Sequence, residues 1–388
     1  MLNYKKFIKF YILFFIIIFS IYAFLFLLST IFVIKTKENL SIKEVIKLQK
    51  TGNYVYSQIT DRPFYTYMCE LFKLREPEII AIGSSRVMQF KQDMFKKKFF
   101  TAGGIAPNMH VVKIFIEDTL KVHKPAKILL ALDFWWFNPN YTNGIYFEKI
   151  EENIEKSLYD TNIQIIKYLF SGKITFSEFI FPEKYKNTSI KYNPIGFDAY
   201  KNGTGTMFDG YRTFYIEEIQ TNSNYFDEKF KDTLDRINKK IKRFEDGDKL
   251  DKRALSDLNS IVKICKDKNI ELILFFPPFA QRVYDELEKQ KAEYKYIDNL
   301  KKYLNENGIK YFDLSNPSSL KSNNCEFIDG FHGGDVVYSR IAKKLLPNDV
   351  RDDIDKIIND NKNHVLIKFH PEDYDLKEAD FLNIGCKK

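Results

Sequence analysis

IIAIGSSRVMQF, residues Ile79 to Phe90, carries the fold in its first half and a candidate chemistry in its second. Ile79 to Ile82 are apolar without alternation, the pattern of a strand buried on both faces as in a parallel sheet. Gly83 permits a sharp turn, Ser84 or Ser85 can cap a helical turn, and the chain after Ser85 has the pattern of a helix start. Open parallel sheets place their binding crevice beyond the carboxyl ends of the strands. A hydroxyl at Ser85 is therefore well placed, but it is inert until a base takes its proton.

Around this stretch, short β-branched and Leu-rich runs alternate with amphipathic segments from residue 76 to 346. The pattern predicts strands at Glu78–Ile82, Lys127–Phe134, Ile270–Phe276 and Ile309–Leu314, with a weaker one at Phe99–Ala102. Helices are expected over Asn108–Val122, Lys252–Lys268, Arg282–Asn307 and Asp335–Leu346. This is an α/β domain, a mostly parallel sheet flanked by helices. Between residues 138 and 248 the alternation is lost, in stretches such as NPNYTNGIYF and FDAYKNGTGTMFDGYRTFY. A large insertion at one rim of the sheet is expected there, where added segments shape access to a site. Residues 347–388 form a polar C-terminal appendage.

Residues 10–34, FYILFFIIIFSIYAFLFLLSTIFVI, are uncharged and follow Lys5, Lys6 and Lys9. The run exceeds the ~20 residues that cross a bilayer and lacks a small-residue cleavage site, so it is expected to be one uncleaved signal anchor. Residues 1–9 would then be a cytoplasmic tail and the large domain would lie outside, although Lys35, Lys37, Lys43, Lys47 and Lys50 dilute the charge asymmetry. Residues 35–75 are expected to be a stalk.

With 45% apolar and 16% aromatic residues in 388, the chain can bury a sizeable core. Its net charge of +8 comes from scattered Lys and is read as a solvated surface, with attraction to an anionic envelope or polymer as the alternative; no nucleic-acid motif is present. Cys69, Cys265, Cys325 and Cys386 are far apart and show no CxxC. They suggest neither a zinc site nor a disulfide scaffold, and leave one or two bridges open.

FIDGFHGGD, residues 327–335, supplies what Ser85 lacks. Asp329 precedes His332 by three residues in a Gly-rich loop, so a tight turn can bring the carboxylate to one imidazole nitrogen and leave the other for a serine. That is the base and orienter of a Ser-His-Asp triad, in the chain order Ser, Asp, His. The plainer alternative is that Asp329 caps a turn and Ser84 or Ser85 caps a helix.

A Gly-x-Ser ending the first strand, a Gly-bearing loop after the second and a late Asp-x-x-His resemble the SGNH/GDSL hydrolase superfamily over about Glu78 to Leu346. The resemblance implies a three-layer fold, with Ser85 as nucleophile, His332 as base and Asp329 as its orienter. It also implies that Gly103, or its neighbour Gly104, lends an N–H to the oxyanion hole. One departure stands out: where the family has an Asn donor, ALDFWWFN offers Asp133. An ionised carboxylate repels an oxyanion, so Asp133 must be protonated, turned away or used for something else. With the anchor and the FFPPF stretch, the layout is similar to membrane-anchored bacterial proteins that assist O-acylation of surface polymers, in teichoic acid D-alanylation and in alginate and cellulose acetylation. These work beside a membrane-bound O-acyltransferase. The resemblance implies an acyl group carried on Ser85 and passed to a polymer hydroxyl; metal, nucleotide and haem motifs are absent from the sequence, so no cofactor or metal is expected. An O-acetylesterase with the same triad and a non-catalytic partner of the acyltransferase are the alternatives.

Trp135 and Trp136, between Phe134 and Phe137, are expected either in the core or as a stacking platform for sugar rings. Arg86 is expected to ion-pair structurally, or else to hold an anionic group. Tyr211, Arg212 and Tyr215 could line the same cleft, Pro277 and Pro278 should stiffen a loop, and His364 and His370 have no metal-ligand spacing.

Overall fold

The structure is a computed structural model that describes residues 2–60, 64–141, 157–187, 192–213, 227–369, 380 and 382–386. In chain order its main elements are α1 (Leu2–Thr36), α2 (Ile42–Thr51), β1 (Tyr54–Tyr56), α3 (Phe64–Arg75), β2 (Ile79–Gly83), β3 (Phe99–Gly103), α4 (Met109–Thr119) and β4 (Lys127–Ala131). Next come α5 (Leu158–Phe170), α6 (Phe176–Ile180), β5 (Asn193–Ile195), α7 (Phe197–Asn202), α8 (Lys231–Lys239), α9 (Lys252–Asp267), β6 (Glu271–Phe276), α10 (Gln281–Lys289), α11 (Lys295–Glu306), β7 (Tyr311–Asp313) and α12 (Asp335–Leu345). The chain forms two compact units, residues 1–63 with 153–205 and residues 64–152 with 206–388. The stretch 138–248 is thus divided between them.

The second unit is built on a five-stranded sheet in the order β3-β2-β4-β6-β7, with all four pairings parallel. Every residue of β2 and β3 is buried, as are the last four of β4 and of β6, because helices flank the sheet. α4 starts where Asn108 accepts the Val111 N–H at 3.0 Å, and it packs along α9, where Lys113 Nζ meets Asp257 at 2.6 Å. The strand order reverses direction between β2 and β4. Such a switch point opens a crevice at the carboxyl ends of those two strands, and it is there that the chain places Ser85 and Asp133.

Most expected elements are present with ends shifted by one to three residues, and two differ further. The strand from Lys127 ends at Ala131 and not at Phe134: Leu132 N–H still reaches Phe275 O at 2.8 Å, after which Phe134–Phe137 coils into a 3-10 turn. The helix expected over Arg282–Asn307 is two, α10 and α11. Between them Tyr294 turns inward, with its hydroxyl 3.0 and 3.1 Å from the carbonyls of Ile237 and Phe244.

In the first unit α1 is long and apolar enough to cross a membrane by length and composition. Its residues Tyr4–Phe24 are exposed, whereas Phe32 and Val33 are fully buried with Ile59, Ile165, Ile174, Phe179 and Phe197. The upper end of the apolar run is therefore protein core. Glu38, just past α1, is buried and accepts from the N–H groups of Phe197 (2.6 Å) and Ile59 (3.1 Å) and from Thr60 Oγ1 (2.8 Å). Burial pushes its carboxyl up to about 7 against those hydrogen bonds. β1 and β5 pair in parallel.

Candidate active site

β2 delivers the nucleophile candidate. After Gly83, Ser84 Oγ accepts the Arg86 N–H at 3.2 Å, and residues Ser85–Val87 form one 3-10 turn. Val87 and Met88 N–H go to the carbonyls of Ser84 and Ser85. The Ser85 N–H is left at the first position of the turn without an intrahelical partner. Beyond the turn, Phe90 packs on Tyr338 with ring centroids 4.7 Å apart, and Lys91 Nζ meets Asp335 at 2.9 Å. Both partners belong to α12, so the segment after Ser85 is fastened to the helix that comes after His332.

The loop before α12 is folded around its own aspartate. Asp329 Oδ1 accepts the N–H groups of Phe331 (2.8 Å) and His332 (2.7 Å), and its Oδ2 lies 2.6 Å from His332 Nδ1. Ile328 N–H closes the hairpin on His332 O at 2.8 Å. Ser85 Oγ lies 2.7 Å from His332 Nε2. Sequence reasoning on Ser85, Asp329 and His332 thus named three side chains that the fold brings into one hydrogen-bonded line.

The protonation pattern depends on the donors. Burial alone would raise the Asp329 carboxyl, but the electrostatic pull of the His332 side chain and three hydrogen bonds outweigh it and hold the carboxyl below its ordinary value. Ionised, it can only accept, so His332 Nδ1 carries the proton and donates. In the neutral ring Nε2 then holds a lone pair, and the Ser85 hydroxyl donates to it. The side chains of His332 and Asp329 are 18% and 17% exposed, so the line is shielded but reachable.

Asp133 is used for a buried ion pair. It is fully buried at the end of β4, with Oδ1 3.1 Å from Arg86 Nη1. Burial raises its carboxyl, and the Arg86 guanidinium opposes the rise. Arg86 also donates through Nε to Phe331 O (3.0 Å) and through Nη2 to Pro277 O (2.8 Å) and Pro278 O (2.7 Å). One guanidinium therefore ties four segments together: the serine turn, the end of β4, the proline loop after β6 and the histidine loop. Pro277 and Pro278 do more than stiffen their loop, since their carbonyls accept from Arg86. These donors point into the protein, so Arg86 takes the first of its two expected roles, a structural ion pair, and not the alternative of holding a substrate anion.

The expectation that Gly103 or Gly104 lends an N–H to the oxyanion hole needs correction, and of the two expected roles of Trp135 and Trp136 it is the core that they take. Gly104 N–H is donated to Gly83 O at 3.2 Å, so it has no bond left for an oxyanion. Successive N–H groups of a parallel strand point to opposite sides. Gly103 N–H therefore points to the outer edge of β3, the side on which Thr101 N–H reaches Asp209 O at 2.9 Å. Glycine at 103 is explained by packing, since a Cβ there would come 2.7 Å from Met88 N. Trp135 and Trp136 are 1% and 3% exposed, which leaves no open ring face for a sugar. Trp135 packs edge-on against Phe134 and under the Arg86 guanidinium, because aromatic bulk fills the space above the ends of β4 and β6.

Of the cleft-lining candidates, Tyr211 is buried under Lys91 Nζ, 4.5 Å from the ring centroid, and the Arg212 N–H reaches Met88 O at 3.1 Å. They brace the segment after Ser85. Tyr215 and His370 lie outside the described residues, and His364 is half-buried. Among the described residues, no group of three His, Cys, Asp or Glu side chains is arranged for a metal.

Asp227 is a site residue that sequence reasoning missed. It is buried, and its Oδ2 accepts the Gly330 N–H (3.1 Å) and Thr233 Oγ1 (2.5 Å), while Oδ1 accepts the N–H groups of Asp232 (2.8 Å) and Thr233 (3.3 Å). Gly330 has to be glycine here: a Cβ would come 2.5 Å from Thr233 Oγ1. No spacing or composition around FDEKF marks this role. Cys325, just before the loop, is disulfide-bonded to Cys386, while Cys69 and Cys265 are free thiols.

Compared with known proteins, the chain matches no family model and no curated protein.

Proposed function

We propose that this chain is a membrane-anchored, extracytoplasmic serine acyltransferase of the SGNH-like kind, which passes an acyl group to hydroxyls of a bacterial surface polysaccharide or teichoic-type polymer. The observation that carries the proposal is the unbroken line Ser85 Oγ, His332 Nε2, His332 Nδ1, Asp329 Oδ2, with contacts of 2.7 and 2.6 Å. A parallel sheet with the serine at its switch point supports the SGNH-like three-layer plan, with the stretch 138–248 added to it. The apolar α1 supports the anchor, and the Cys325–Cys386 bridge supports an oxidising, extracytoplasmic location.

In this mechanism Ser85 Oγ attacks the acyl carbonyl as its proton moves to His332 Nε2. Asp329, already ionised, stabilises the imidazolium without taking the proton. The Ser85 N–H donates to the oxyanion. The leaving group departs with the proton from Nε2, leaving an ester on Ser85. A sugar or polyol hydroxyl then attacks that ester, gives its proton to Nε2, and the proton returns to Ser85 Oγ as the new ester leaves. A membrane-bound O-acyltransferase would present the acyl donor.

The test is labelling of the full-length protein in detergent with a fluorophosphonate. Wild type should label and Ser85→Ala should not, at an unchanged melting temperature. Equal labelling of both would overturn the proposal. An acyl group released to water in preference to added glycan would make the enzyme an O-acetylesterase. Polymer modification in cells carrying Ser85→Ala would make the chain a non-catalytic partner.

A further inference from the structure

The bare part of α1 is as long as a bilayer is thick. Tyr4–Phe24 stand exposed, and 21 residues of helix span about 31 Å against a hydrocarbon core of about 30 Å. Lys5, Lys6 and Lys9 lie at one end, where their stems can carry the charge out to the headgroups. At the other end α1 is sheathed: Leu25 and Leu28 pack on the core of the first unit, and Ser29 Oγ donates to Asn162 Oδ1 at 2.9 Å.

α5 begins at the level where the bare stretch ends. The Tyr159 ring lies 5.7 Å from Phe26, and its hydroxyl is 3.4 Å from that of Tyr22. Yet Leu158 and Tyr159 are 49% and 58% exposed, and Tyr22, which Tyr159 meets, is itself exposed. Facing water, Tyr22, Tyr159 and Leu158 would make an apolar patch that joins the bare span at Tyr22 with no protein cover among the described residues. The start of α5 also bounds the depth. Asp160 closes a capping box with Ser157, and an exposed carboxylate there belongs among headgroups and not in hydrocarbon. Tyrosines with apolar rings and polar tips concentrate at that boundary.

We infer that the first turn of α5 shares the membrane interface with α1, so that Leu158, Tyr159, Tyr22 and Phe26 form one lipid-contacting girdle that fixes how far the anchor enters the bilayer. The inference rests on α1 being the anchor of the proposed function. Its occupant is lipid at the boundary between acyl chains and headgroups, because the patch is continuous with the bare span.

The test uses the full-length chain in phosphatidylcholine–phosphatidylglycerol vesicles, with Cys69 and Cys265 replaced by Ala. A fluorophore is attached at Tyr159→Cys, at Phe15→Cys in the middle of the span, or at Phe170→Cys at the far, exposed end of α5. Quenching by a lipid nitroxide high on the acyl chain should be strongest at 159, by a deep nitroxide strongest at 15, and by aqueous iodide strongest at 170. Leu158→Cys repeats the measurement should the tyrosine variant fold poorly. Iodide quenching at 159 equal to that at 170, with 15 still quenched by the deep nitroxide, would overturn the girdle and leave the anchor standing. Protection at 159 from both quenchers would mean a protein neighbour and would also overturn it. Iodide access at 15 would remove the anchor itself, and the girdle with it.

Discussion

Asp133 and Asp329 are two carboxylates of one unit, each paired with a basic side chain, and they end in opposite conditions. Asp133 faces Arg86, both side chains at most 1% exposed, whereas Asp329 faces His332 at 17% and 18%. The guanidinium keeps its charge at any pH the protein meets, and its other donors hold backbone carbonyls. The imidazole can give up and regain a proton, and its free nitrogen touches a hydroxyl. The partner and the access of solvent, more than the carboxylate, distinguish a sealed ion pair from a hydrogen-bonded line whose base can exchange a proton.

The largest effect is expected at the open pair. Asp329→Asn can turn its amide toward Nδ1, which reverses the tautomer and leaves an N–H on Nε2 facing Ser85. By the logic of such triads the rate of fluorophosphonate labelling should fall about 10⁴-fold while the melting temperature holds. A drop of less than about tenfold would show that Asp329 does not orient the base.

The sealed pair should respond in stability. Asp133→Ala leaves the Arg86 charge buried without its counter-ion, at a cost of about 3–5 kcal/mol by denaturant unfolding. A double variant, Asp133→Leu with Arg86→Met, should recover most of that loss, because two matched apolar groups leave no orphaned charge. If Asp133→Ala unfolds at the wild-type denaturant midpoint, Arg86 does not clamp the four segments it touches.

What the sequence disclosed divides along the same line. The buried runs Ile79–Ile82, Leu129–Ala131 and Ile273–Phe276 were legible, since strands covered on both faces must be apolar throughout. So was the meeting of Ser85, Asp329 and His332, because the proposed chemistry needs those residue types close to turns. The break at Tyr294 was not legible, because helical periodicity continues through it and only the carbonyls of Ile237 and Phe244 explain the inward hydroxyl. Nor was the direction of the Gly103 and Gly104 N–H groups, which depends on strand register. The four-way grip of Arg86 is equally invisible in a string where it looks like one more surface cation.

Asp227 tests an intermediate case, a buried carboxylate whose described partners are neutral donors. Asp227→Ala would strip Gly330 N–H and Thr233 Oγ1 of their acceptor, for about 1–3 kcal/mol of stability. Because Gly330 lies between Asp329 and His332, labelling should slow as well, by less than in Asp329→Asn. A labelling rate equal to wild type would separate the Asp227 clamp from the histidine loop.

The smallest effect is the most discriminating, because the two carboxylates are shifted in opposite directions. Asp329 is held below its ordinary value of about 3.9, so its ionised form contributes stability above that pH and loses it as pH falls through the folded value. Asp133 is raised by burial, so its contribution is fullest below the ordinary value and is lost as pH rises through the folded one. Measured against neutral isosteres, wild type should lose ground to Asp329→Asn on acidification and to Asp133→Asn on moving up from acid. Denaturant unfolding of the three proteins from about pH 3 to 7 reads both slopes. Parallel curves would mean that the two aspartates share one electrostatic environment, and the contrast between clamp and proton carrier would have no physical basis.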